Sequence, residues 1–215
     1  NGTLFLAASG YNSSNSGLVY MYTVSSSGSL SPVTGSPFTS NIPSNAYSVS
    51  FSPVTPDGSI FAVVTGLSTS SSTPNISMFK VDTSSGAFTL IDTYFVNGYI
   101  QNSAFSPLTT QDKLFLAVTG FQAVGDQGFV ETYTVQLNPV VTINPNPAST
   151  CVGTNLTLQG RVTGGTGNYS SYVWTHGTTQ VGTDLSYTIT NAIQSSAGTY
   201  TLTVTDSNNC VGSQS

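Results

Sequence analysis

Groups able to do acid–base, nucleophilic or metal chemistry are scarce in this 215-residue chain: one histidine, two cysteines, eight carboxylates and three cations. A Ser/His/Asp triad would have to recruit His176, which has no Cys or second His near it in sequence, and no Gly-x-Ser-x-Gly elbow leads into a helix. A surface or packing role is the reading for this histidine, with metal ligation disfavoured by the lack of partners. Residues 1–137 contain no His, Arg or Cys, so a general base there would have to be Asp57, Asp82, Asp92, Asp112, Asp126 or Glu131. Asp57 and Asp112 fall in equivalent turns and Asp82 opens another, where hydrogen bonding to the turn backbone accounts for them. A glycosidase-like carboxylate pair stays open as an alternative, because carboxylate separation is a three-dimensional quantity. Asp206-Ser-Asn-Asn209 offers oxygen ligands but lacks the clustered Asp and downstream Glu of a calcium loop, so it reads as a structural turn. The expectation is a non-enzymatic protein with no catalytic residue, metal or cofactor.

Charge is the anomaly of the composition. Asp, Glu, Lys and Arg make up 5% of the chain, against about 25% in an ordinary soluble domain, while Ser and Thr together reach roughly 30%. Three cations cannot build a phosphate-tracking patch, which excludes nucleic acid as a partner. No stretch approaches the ~18 consecutive apolar residues of a membrane helix, so no membrane insertion is expected. Cys151 and Cys210 flank one block with 58 residues between them. A bridge closing that loop would contribute about 4 kcal/mol on the loop-entropy account; two free thiols are the alternative. Five Asn-x-Ser/Thr sequons, at Asn1, Asn12, Asn75, Asn155 and Asn168, join the low charge in favouring an oxidising, secreted or cell-surface setting.

The elements that would carry these groups are strands. No segment sustains a helical apolar period, whereas β-branched and aromatic runs bounded by Gly, Pro, Asn and Ser recur throughout, so the fold class is all-β. A threefold echo organises the first part: residues 2–10 (GTLFLAASG) return as 58–66 (GSIFAVVTG) and as 112–120 (DKLFLAVTG), a step of about 55 residues. Around it lie four short strands per repeat: a (47–51, 101–105), b (4–8, 60–65, 114–119), c (19–24, 76–81, 130–135) and d (31–38, 87–95). Ser-Ser-Gly at 26–28 and 84–86 supplies the c-to-d reversals. In c, alternation such as Val19-Tyr-Met-Tyr-Thr turns one set of side chains inward and leaves Tyr20 or Tyr22 facing out.

The recurring order Phe-Ser-Pro, Leu-Phe-Leu-Ala-Val-Thr-Gly, Val-Tyr-x-Tyr-Thr-Val and Leu-Ser-Pro-Val-x-Gly-Ser-Pro-Phe resembles the blade repeat of lactonase-like β-propellers over residues 1–137. The resemblance implies antiparallel four-stranded blades. The chain supplies b-c-d, a-b-c-d and a-b-c, about two and a half repeats, which is too few to close a ring. The likeness carries no lactonase activity with it, because sites and not folds carry function.

Pro139 to Pro147 marks a seam, and serves either as a last strand d or as the first strand of a second domain, 138–215. That part resembles an immunoglobulin-like or PKD-like module of bacterial surface proteins: Trp174 stands where the core Trp of strand C belongs, and Ala197-Gly-Thr-Tyr200 resembles a tyrosine corner. The positions of the usual inter-sheet cysteines hold Gly160 and Leu202, and the cysteine pair lies outside them. Strand G looks absent, since the sequence stops five residues after Cys210, and strand a looks absent before the first blade. Unpaired margins then imply either a segment of a longer protein or pairing supplied by other copies of the chain. The function this points to is an extracellular structural subunit that self-assembles into a filament or sheath. The alternative is part of an adhesin that binds glycan or protein through exposed Tyr, Asn and Ser.

Overall fold

The computed structural model describes residues 3–67, 75–96, 98–109, 113–122, 125 and 127–215. They divide into two compact units, one of Asn1–Leu108 with Leu114–Val135 and one of Gln136–Ser215 with Thr109–Lys113. The fold is all-β: among the described residues every sheet is antiparallel, and a single 3-10 turn, Gln194–Ser196, interrupts the strands.

The first unit is built from three meanders. β1 (Leu4–Tyr11), β2 (Gly17–Val24) and β3 (Leu30–Pro32) form one sheet. β4 (Ser48–Phe51), β5 (Ile60–Thr65), β6 (Ile76–Val81) and β7 (Phe88–Tyr94) form the second, and β8 (Tyr99–Phe105), β9 (Leu114–Phe121) and β10 (Gly128–Val135) the third. Strand for strand these are b-c-d, a-b-c-d and a-b-c. Strand d of the first sheet is shorter than its sequence suggests, because Pro32 cannot donate to a ladder; a separate bridge, Val19 to Phe38, continues the pairing beyond it. The likeness to lactonase-like propellers ends at this strand order: the described strands make three separate sheets and close no ring.

Period-2 alternation explains which side chains reach the core. In β2, Val19 and Met21 are buried and Tyr20 is exposed; in β9, Leu114, Leu116 and Val118 are buried and Phe115 is exposed. The first two sheets share a core in which Val19, Ala46, Val64 and Phe79 form one cluster and Met21, Val33, Ala62 and Val81 another. Phe88 joins them, stacked on Phe38 at 4.9 Å and on Phe79 at 5.1 Å between centroids. Gly28 and Gly86 sit at φ 82° and 75° in the c-to-d reversals, a region L side chains avoid.

The Phe-Ser-Pro phrase is a clip. Ser52 Oγ donates to the Pro53 carbonyl and accepts from the Phe61 amide at 2.9 Å; Ser106 repeats both bonds with Pro107 and Phe115, the latter at 3.0 Å. Each clip ties the exit of strand a to the start of strand b nine residues on. A sequence repeat thus reports a repeated hydrogen-bond device.

The second unit is an immunoglobulin-like sandwich. β11 (Pro139–Asn144), β12 (Leu156–Gly164) and β15 (Ser186–Ile189) make one sheet. β14 (Thr179–Gly182), β13 (Tyr169–His176), β16 (Tyr200–Asp206) and β17 (Val211–Gln214) make the other. The Pro139 segment is therefore the sandwich's first strand. Val141, Leu158, Trp174, Leu202 and Val204 form the core between the sheets. Strand G exists, contrary to the sequence expectation: Val211–Gln214 pairs with β16 from Thr205–Val211 to Leu202–Gln214. Its low apolar content hides it in the sequence, because its bonds are backbone bonds that glycine and glutamine make as well as valine does.

Candidate functional site

The sole histidine is a packing residue. The His176 ring stacks on Tyr200 at 4.4 Å and 2°, its Nε2 lies 3.3 Å from the Ala197 carbonyl oxygen, and a Cβ on Gly198 would come within 2.4 Å of it. Tyr200 is the tyrosine corner: its hydroxyl donates to the Ser196 carbonyl at 2.9 Å. Burial, with Tyr187 nearby, raises its phenol above the usual value. Trp174 is fully buried and donates from Nε1 to the Asp184 carbonyl at 3.0 Å.

Asp57 and Asp82 are bound to their own turns. Asp57 accepts from the Ser59 amide at 3.0 Å and from the Thr55 and Ser59 hydroxyls. Burial alone would raise its pKa, but these bonds and the Lys80 charge outweigh burial and leave it lowered. Asp82 accepts from the hydroxyls and amides of Ser84 and Ser85, which holds it well below the usual carboxylate range. Asp92 accepts from the Thr93 amide, and Glu131 from the Tyr133 hydroxyl at 2.6 Å. Asp112 and Asp126 lie outside the described residues. Asp206 is fully buried and organises a turn: Oδ1 accepts from the amides of Asn208 and Cys210, and Oδ2 from the Thr166 amide, each at 2.9 Å. With Gln136 Nε2 at 3.3 Å, its acceptor positions are filled by the protein. Among the described residues no group of three or more His, Cys, Asp or Glu stands together as a metal site.

The expected Cys151–Cys210 bridge is not formed: both are free, Cys151 exposed and Cys210 partly buried. The sandwich keeps them at opposite poles. Cys151 precedes β12 beside Ala192, which accepts from the Gly153 amide, whereas Cys210 sits in the β16–β17 turn beside the Asp206 carboxylate. The nine residues of β12 run between these poles, a span on the order of 25 Å at ~3.3 Å per residue. A disulfide needs Cα atoms within about 7 Å, so the two cannot meet within one sandwich. Sequence separation could not reveal this, since it does not say at which pole each end emerges.

The sequons differ in access. Asn75 is fully buried; Nδ2 donates to the carbonyls of Val96 and Gly98 at 2.8 and 3.0 Å, and Oδ1 accepts from the Val96 amide at 2.9 Å. Both amide protons are spent, which leaves no room for a glycan and makes Asn75 a brace the sequence reading missed. Asn12, Asn155 and Asn168 are exposed, and Asn1 lies outside the described residues.

The surface feature that stands out is the pair of outer strands in the first unit. β1 pairs only with β2, and β10 only with β9, among the described residues. β1 carries no charge, no proline and no register shift, and it exposes Leu4 and Leu6 at 63% and 43%. β10 exposes Val130 at 67% and holds one charge, Glu131. By contrast β7, one of the two outer strands of the middle sheet, has a bulge opposite Met78 and Phe79 and carries Asp92. Open edges normally carry such devices against pairing with other chains.

No protein-family model and no curated protein matches this sequence. Among solved structures, the N-terminal four Ig domains of Dscam1 (isoform 4.44) match at 12% identity and a TM-score of 0.33, over 94% of this chain and 54% of that one. The fibronectin(III)-like modules of Clostridium thermocellum CbhA match at 13% identity and a TM-score of 0.29, over 77% and 85%. The chain spans about half the length of the Dscam1 chain it matches. Both scores lie below 0.5, and the all-β, immunoglobulin-like assignment stands on strand order, Trp174 and the Tyr200 corner.

Proposed function

We propose that this chain is a non-enzymatic, extracellular structural subunit that self-assembles through its strand edges into a filament or sheath. The observation that carries the reading is β1: an eight-residue strand, hydrogen-bonded on one side among the described residues, uncharged, and itself exposing Leu4 and Leu6. A strand of another copy laid against it would satisfy its open amides and carbonyls and cover apolar surface at the same time. Charged residues make up 5% of the chain, and none stands on β1, so no fixed charge along that strand opposes pairing. Electron microscopy over a concentration series tests the idea. Ordered assemblies that disappear in Leu6→Lys with Val130→Lys support it; dispersed particles at every concentration overturn it.

A second reading, adhesion through glycan binding, is favoured by one observation. Tyr11 and Tyr47, 52% and 44% exposed, form an edge-to-face pair at 6.3 Å on the first unit, a geometry that offers a ring face to an apolar sugar surface. Glycan-array signal lost in Tyr11→Ala and Tyr47→Ala, without self-association, selects this reading.

A further inference from the structure

The three sheets of the first unit stack by one rule. In repeat order Leu6, Ala62 and Leu116 are equivalent and mark one face of each sheet, the leading face; Val19, Ile76 and Val130 are equivalent and mark the other, the trailing face. Residues directly opposite across a ladder share a face, so Ala8, Tyr20 and Tyr22 stand with Leu6, and Ala117 and Thr132 stand with Val130. The trailing face of the first sheet, with Val19 and Met21, packs on the leading face of the second, with Ala62 and Val64. The trailing face of the second sheet meets the leading face of the third: Ser50 Oγ lies 2.8 Å from Ser103 Oγ, and the Tyr94 and Tyr133 rings are 6.1 Å apart between centroids. Ser50 and Tyr94 stand opposite Val63 and Ile76, and Ser103 and Tyr133 opposite Val118 and Leu116, which fixes the two faces that meet.

This contact of trailing on leading face occurs twice in the chain and leaves two faces uncovered, the leading face of the first sheet and the trailing face of the third. Equivalent positions show the difference. Ala62 and Leu116 are buried where Leu6 is 43% exposed; Val19 and Ile76 are fully buried where Val130 is 67% exposed. No charged residue stands on either free face among the described strand residues. Apolar patches of this kind mark interaction sites.

We infer that the trailing face of the third sheet of one copy packs on the leading face of the first sheet of a second copy, stacking copies by the same contact that stacks sheets within one copy. The occupant is a second copy because the chain itself contains the complement of each free face, already paired with that face's repeat equivalent. The two faces differ, so the contact is heterologous and propagates from copy to copy. The inference rests on the proposed role in taking another copy as the partner, but it uses sheet faces and leaves the edge amides of β1 and β10 open.

Leu6 and Val130 lie on edge strands, so the variants that test the faces alone sit on the middle strands β2 and β9: Tyr20→Lys on the leading face and Phe115→Lys on the trailing face, both at exposed positions. Sedimentation velocity over a concentration series is expected to show oligomers of the unaltered chain and monomers of each variant alone. An equimolar mixture of the two should give a dimer and nothing longer, because the two unaltered faces meet once. Tyr20→Ser and Phe115→Ser, with the same expectations, replace a lysine variant that loses its far-UV circular dichroism spectrum. Oligomers from either variant alone, or no dimer from the mixture, would overturn the inference. An unaltered chain monomeric at every concentration would do so too and would mean that another partner covers these faces. Amide hydrogen exchange separates this contact from edge pairing. Oligomers lost in both variants, with β1 and β10 amides unprotected in the unaltered assembly, keep the face contact and defeat the edges; oligomers kept in both, with those amides protected, do the reverse.

Discussion

Gly160 and Leu202 face each other across the sandwich: a Cβ built on Gly160 would lie 2.4 Å from Leu202 Cδ2 and 2.6 Å from the Leu185 carbonyl oxygen. The two positions where immunoglobulin domains place bridged cysteines are occupied here by an absent side chain and a fully buried large one. Packing across the core therefore takes the place of the covalent link. Gly160→Ala is expected to destabilise the second unit by about 1–3 kcal/mol through overpacking, measured by denaturant unfolding. Leu202→Ala costs about 2–5 kcal/mol of its own, but the double variant should lose less than the two single losses added, because one of the two clashes is removed; full additivity would contradict the contact.

Asn75→Ala removes three hydrogen bonds and leaves the Val96 amide and carbonyl without their partner. A loss of about 2–4 kcal/mol is expected, at ~1–3 kcal/mol per buried group left unsatisfied. Peptide mass mapping of glycosylated material should find Asn75 unmodified, even where Asn12, Asn155 or Asn168 carries glycan. An occupied Asn75 in folded protein would contradict its bracing role.

Asp57 makes a pH prediction. Its folded pKa lies below the ordinary 3.8, so the fold favours the ionised form. That contribution is present above about pH 4 and is lost as pH falls through the folded value. Stability of Asp57→Asn should accordingly depend less steeply on pH below about 4 than that of the unaltered chain. An unchanged slope would show that Asp57 contributes nothing to acid sensitivity.

Tyr200→Phe keeps the His176 stack and deletes the 2.9 Å bond to the Ser196 carbonyl. The expected loss is about 1 kcal/mol. Tyr200→Ala should cost about 3 kcal/mol or more, because the ring also packs at 5.8 Å against Tyr187. Equal losses for the two variants would mean that the ring packing adds nothing.

The strands were legible in the sequence because burial on one face imposes a period of two, and the repeats because each encodes the same Ser clip at Ser52 and Ser106. Trp174 and Tyr200 were legible because few other side chains fit a core position that also needs a polar tip bonded. β17 was not, since backbone pairing leaves no mark on Val211-Gly-Ser-Gln. The brace at Asn75 has the sequence of a sequon, because the same residue type serves both ends and burial alone separates them. The cysteines misled for a topological reason: flanking a block in sequence does not place two residues at one pole of it.

Amide hydrogen exchange of dispersed and assembled protein tests the edge claim most directly. The account predicts that Leu4–Tyr11 and Gly128–Val135 gain protection on assembly, while Ile60–Thr65 and Ile76–Val81, paired on both sides, do not change. Assemblies whose β1 and β10 amides exchange as fast as those of the dispersed chain would contradict it.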